Sequence, residues 1–104
     1  MYRVIFEHHP KQGQAQAFIA AWQKGSDIIQ QSPGARGTKL FRSLDDPTIL
    51  YAMAEWESKA ARDAAMDEIA ARPDGQDIIH GQEQFLDSFK TLLAAELVVS
   101  SDPN

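Results

Sequence analysis

Three histidines, His8, His9 and His80, and the tryptophan Trp56 are the residues of this 104-residue chain best suited to chemistry on a small organic molecule. An imidazole that titrates near neutrality can take the proton of a phenol, and an ionised aromatic ring reacts more readily with dioxygen. His8 and His9 are neighbours in YRVIFEHH, a stretch rich in β-branched and aromatic residues that reads as a strand, so one faces inward and the other outward. Two side chains pointing oppositely cannot easily share one ion, and neither has a carboxylate at metal-binding spacing, so neither a metal nor a cofactor is expected. His80 lies in IIHGQ, a glycine-flanked segment of the kind that often carries sites. Trp56 ends an apolar run beside Ser58, where it suits both a core role, pinning a helix to a sheet, and the stacking of a substrate.

Around these stand residues that could shape a pocket. Arg42 and Glu55 interrupt otherwise apolar strands and are expected to face each other as a cross-strand ion pair; left unpaired, Arg42 could hold an acidic or phenolate substrate. Tyr51 and Met53 share a strand face with Glu55, while Phe18 and Trp22 lie on one helical stripe. A cavity between sheet and helices lined by them would be apolar with few polar groups, as small-ligand sites are, although core packing explains the same residues. There is no glycine-rich phosphate loop, nucleophile elbow or cysteine, which removes nucleotide cofactors, serine hydrolysis and thiol chemistry from consideration.

The elements that must position them follow from periodicity. Residues 2–8 form a first strand ended by Pro10; residues 13–31 carry Phe18, Ala21, Trp22, Ile28 and Ile29 at helical spacing before Ser32-Pro33-Gly34 stops the helix. Residues 37–44 and 48–56 flank Asp45-Asp46-Pro47 as a hairpin, Ser58 caps a helix over 59–72, and Pro73-Asp74-Gly75 breaks it. A short helix is expected over Gln82–Phe89 and a final strand over Thr91–Ser100, with residues 100–104 a flexible tail. The order β-α-β-β-α-β is that of a ferredoxin-like α+β fold, an antiparallel sheet with two helices on one face, in a single domain spanning 1–104.

Both faces of the third strand are apolar, Leu50, Ala52, Ala54 and Trp56 alternating with Ile49, Tyr51 and Met53, and the last strand repeats the pattern. With helices on one face only, something must cover the other, and a second copy of the chain is the simplest cover, giving a homodimer. The formal net charge of -5 with no basic block argues against nucleic acid and anionic membrane as partners. No stretch resembles a signal peptide or a membrane span, so a cytoplasmic location is expected.

Four stretches, the opening strand, Ser32-Pro33-Gly34-Ala35, Leu40-Phe41-Arg42-Ser43 followed by DDP, and Trp56-Glu57-Ser58-Lys59, resemble the antibiotic biosynthesis monooxygenase family of dimeric α/β barrels over residues 2–70. That resemblance implies a homodimeric barrel. Family members include oxygenases of polycyclic phenols that use neither metal nor flavin, quinol oxygenases and haem-degrading enzymes. The polyketide oxygenases place a substrate-positioning tryptophan where Trp56 stands; their asparagine four residues earlier falls on Ala52, and their tyrosine and arginine along the second helix have no clear counterpart. Of the haem-degrading pattern only His80 finds a match.

Two functions are consistent with these residues, the first led by the resemblance. One is a cofactor-independent monooxygenase of a hydroquinone or polycyclic phenol, in which the substrate itself reduces O2 and the protein supplies a dry pocket, a base and orientation. The other is a non-catalytic small-ligand-binding or stress-associated dimer, suggested by Ala52 and by the lack of an aromatic residue in the second helix. An open apolar cavity reached by His8, Trp56 or His80 favours the first; a fully packed interior favours the second.

Overall fold

The computed structural model describes residues 1–103. Strand β1 (Tyr2–Pro10) leads into helix α1 (Ala15–Ile29), the hairpin β2 (Ala35–Arg42) and β3 (Leu50–Trp56), helix α2 (Lys59–Ala70), the short helix α3 (Gly75–His80), a 3-10 turn (Gly81–Phe85) and strand β4 (Leu86–Glu96). The four strands form one antiparallel sheet in the order β2-β3-β1-β4, the ferredoxin-like arrangement expected from the sequence.

Alternation along the strands sorts the side chains. Tyr2, Val4 and His8 of β1 and Leu50, Ala52 and Trp56 of β3 are buried, whereas Arg3, Ile5, Glu7, Tyr51, Met53 and Glu55 hold the positions of opposite parity. Two apolar clusters result. Tyr2, Val4, Trp56 and Ala65 join the sheet to α2, and Phe18, Leu50 and Leu86 join it to α1. Trp56 is 2% exposed, and a buried aromatic of that size contributes ~3–5 kcal/mol by the usual cost of truncating it. Local chemistry fixes its surroundings. The Ser58 hydroxyl accepts a bond from the Ala61 backbone N–H at 3.1 Å, capping α2 two residues past Trp56. The Asp46 carboxylate accepts from the Thr48 backbone N–H at 3.0 Å and from its hydroxyl at 2.6 Å, closing the hairpin. Gly34 takes φ +84, and a Cβ there would lie 2.7 Å from that of Ala61, so this glycine lets β2 start against α2.

The C-terminal third departs from expectation. The short helix lies at Gly75–His80 rather than 82–89, and the last strand begins at Leu86 and ends at Glu96 rather than running from 91 to 100. Polar Asp87, Ser88 and Lys90 hide the strand from a reading of hydrophobic pattern, yet they belong to an edge strand whose backbone pairs with Glu7–His9. A bulge at Leu92, which has no partner between the pairs Phe6–Thr91 and Ile5–Leu93, shifts the strand's parity. Leu97, Val98 and Val99 lie beyond the strand, Val98 being 95% exposed. Residues 97–103 form no regular element, and position 104 of the expected tail lies outside the described residues. Among the described residues no helix is long and apolar enough to cross a membrane.

Candidate functional site

Helix α3 packs against both α1 and α2. Its approach to α1 is close: a Cβ on Gly25 would come within 2.7 Å of the Ile78 carbonyl oxygen. Beneath α3, between sheet and helices, lies a cavity of about 250 Å³. Phe6 and His8 of β1, Trp56 of β3, Trp22 of α1 and Met66 of α2 form its walls, with His80 and Glu83 beside them from the segment that precedes β4. The cavity thus reaches the three residues His8, Trp56 and His80 that the sequence singled out for chemistry.

His8 is the inward-facing member of the histidine pair and is 4% exposed. Its ring has aromatic neighbours, Phe18 tilted against it with centroids 4.9 Å apart and Phe89 stacked on it at 6.0 Å. Its Nδ1 is buried without a hydrogen-bond partner, an arrangement that costs about 1–3 kcal/mol unless a ligand or water fills it. Burial pushes the imidazole pKa down from 6.5 to about 4, opposed by the nearby Glu83 carboxylate and reinforced by His9. At neutral pH His8 is therefore an uncharged ring that can hydrogen-bond a ligand and is a weak proton acceptor, in contrast to the near-neutral base expected. His9 points the other way: its Nε2 lies 2.9 Å from Glu7 Oε2. That hydrogen bond, aided by Lys90 at 3.6 Å, holds the Glu7 carboxyl below its usual range.

The remaining expected site residues are divided between locations. Trp22 is in the cavity wall, and Met53 borders the cavity from a strand position with the parity of the other sheet face. Phe18 is fully buried and supports the His8 ring from behind without bordering the cavity. Tyr51 and Glu55 have the parity of the other sheet face, where Glu55 pairs with Arg3 of β1; the expected Arg42–Glu55 pair does not form because Arg42 lies opposite Leu50 at the far end of the hairpin. Arg42 instead borders a shallow groove along β2 with Trp22 and Leu40. Sequence reasoning passed over Phe6, Arg62, Met66 and Glu83, all at the cavity. Arg62 and Met66 are one helical turn apart, and Glu83 is three residues beyond His80, spacings that place such pairs on one face of a helix. His80 Nδ1 and Glu83 Oε2 are hydrogen-bonded partners. No three His, Cys, Asp or Glu side chains gather as a metal site among the described residues.

The family model of antibiotic biosynthesis monooxygenases matches residues 1–72. The chain belongs to that family. Solved structures agree in fold: a protein from Nitrosomonas europaea assigned to the same family superposes with TM-score 0.75 at 16% identity, covering 95% of this chain and 100% of that one. One from Deinococcus radiodurans gives TM-score 0.75 at 14% identity over 100% of this chain and 99% of its own. A Shewanella oneidensis protein gives 0.70 at 20% identity over 90% and 89%. Identities this low establish common architecture and carry no substrate. A search of curated proteins finds no significant match. Family membership supports a monooxygenase-type activity.

The buried neutral His8 makes stability sensitive to acid. In the unfolded chain His8 binds a proton as pH falls below its ordinary 6.5, while in the fold it resists until about 4, so its contribution is complete above 6.5 and declines through that window. Thermal stability of wild type should therefore fall as pH is lowered through the upper half of the window, above the range where Glu7, Asp46 and Asp74 protonate. His8→Phe should flatten that dependence; equal slopes for the two proteins would refute the assignment.

Proposed function

We propose that the protein is a cofactor-independent monooxygenase of a small aromatic hydroquinone or phenol bound in the cavity beneath α3. The observation that carries this reading is the buried, partnerless Nδ1 of His8 in a cavity whose apolar walls include Trp56, Trp22, Phe6 and Met66. Such a site offers one hydrogen bond to a ring hydroxyl and flat apolar surfaces to the ring itself. Its volume favours a compact substrate: a cavity of ~150 Å³ holds one benzene ring, so about 250 Å³ suits one or two fused rings better than a four-ring skeleton. In the reaction envisaged the hydroxyl proton leaves, the electron-rich ring reduces O2, one oxygen atom enters the ring as a carbonyl and the other departs as water, the substrate supplying all the electrons. The protein contributes exclusion of water and orientation of the ring.

We infer further that the working form is a homodimer. Ile5, Tyr51 and Met53 share the helix-free face of the sheet, and Phe41 and Leu93 there are 49% and 45% exposed. A second sheet packed on this face would bury them, and the Arg3–Glu55 pair on the same face would flank the contact.

Oxygen consumption by purified protein with a panel of one- to four-ring phenols and hydroquinones tests the activity. Turnover should be confined to the smaller members and fall at least about tenfold, roughly 1.4 kcal/mol, in Trp56→Phe and His8→Ala with folding retained. No enhancement across the panel would favour the ligand-binding alternative. For the assembly, Leu93→Glu should convert a dimer to a monomer by light scattering; an unaltered mass, or a monomeric wild type, would contradict the proposed interface.

A further inference from the structure

We propose that the proton acceptor of this cavity is the His80–Glu83 pair at its mouth, with Glu83 as the positioning residue and His8 as the neutral hydrogen-bonding partner at its floor; this rests on the reading of the cavity as a phenol site. Both residues border the cavity, and their side chains are 54% and 33% exposed, so the pair sits where the interior meets water. The Glu83 carboxylate engages Nδ1 of His80. A carboxylate accepts only, so the ring proton is held on Nδ1 and Nε2 keeps its lone pair. That is the arrangement that prepares an imidazole to take a proton: the carboxylate fixes the tautomer and the ring's direction, and then stabilises the imidazolium. In the step envisaged the O–H bond of the phenol breaks, its proton joins Nε2, and the electron pair stays on the phenolate oxygen.

The division of labour between the two histidines follows from their settings. His8 is enclosed by Phe6, Phe18 and Phe89, where a positive charge is poorly tolerated; burial keeps it neutral. His80 lies at the water-exposed mouth with the Glu83 carboxylate on its ring, so a proton taken by Nε2 has a path to water. The other ionisable groups at the cavity are His8 from β1 and Arg62 from α2; α1, β2, β3 and β4 contribute none there. Arg62 would favour the phenolate produced, and its own carboxylate neighbour, Asp63, is 3.9 Å away.

4-Nitrophenol tests this without requiring turnover, because its phenolate absorbs visible light and its own pKa is near neutrality. Bound to wild type about one pH unit below that pKa, it should ionise. In His80→Asn, an exposed position that leaves the core untouched, binding should stay within about threefold, while the bound probe's apparent pKa rises by about one unit, a tenfold fall in its ratio of ionised to neutral form. Glu83→Gln should give a partial rise and Glu83→Asp should restore much of the effect, which a purely structural role for Glu83 would not do. His8→Phe should weaken binding and leave ionisation of the probe that does bind. Binding without ionisation, or ionisation indifferent to His80, would overturn the proposal while leaving the phenol site intact. Failure of wild type to bind the probe would overturn both.

Discussion

The site depends on one unfavourable placement, a histidine ring at a buried strand position where alternation calls for an apolar side chain. β1 alternates Tyr2, Val4, Phe6, His8 toward the helices, and the register with β3 sets His8 opposite Leu50. Position 8 is thus committed to the interior by the same period-2 pattern that makes the core. The imidazole cannot escape to solvent without slipping the strand and exposing Val4 with it. Its Nδ1 has no partner in the protein, and its charge is suppressed by burial. A fold normally avoids such a group. Keeping one beside a cavity, rather than packing it into hydrocarbon, leaves its hydrogen bond available to a guest.

The rest of the architecture maintains that cavity. α2 is held to the sheet by Trp56 and by the Ser58 cap, α1 by Phe18, and α3 packs against both helices. Glycine at 25 permits α3 to approach α1 to a distance that a side chain would forbid. Trp56 consequently has two roles without contradiction: it belongs to the buried cluster that fixes α2, and its remaining surface is part of the cavity wall. The end of α3 and the 3-10 turn after it bring His80 and Glu83 to the opening.

Much of this was legible in the residues, and for identifiable reasons. β1, the hairpin and α2 have strong local signals: alternation, the Asp-Pro turn, the serine cap. His8 and His9 were divided correctly into an inward and an outward partner by strand geometry alone. The segment after Pro73 was not legible, because α3 is a six-residue helix whose placement is decided by packing, and because β4 is a partly polar edge strand whose bulge breaks the alternation. Charged partners were misjudged on the same ground: Arg42 and Glu55 sit in paired strands, but only the register reveals that Glu55 lies beside Arg3. Arg62 and Glu83 were missed since long charged side chains on helices usually face water, and their position at the cavity is a tertiary fact.

The most direct measurement is the imidazole nitrogen spectrum of His8 by NMR, followed across pH and then with 2-naphthol added. The expected result is a ring that stays neutral from its ordinary value of 6.5 down toward about 4, with an Nδ1 resonance that moves on addition of the naphthol as its hydrogen bond is made. A His8 that titrates near 6.5 like an exposed imidazole, or an Nδ1 indifferent to the naphthol, would contradict a site built around that nitrogen.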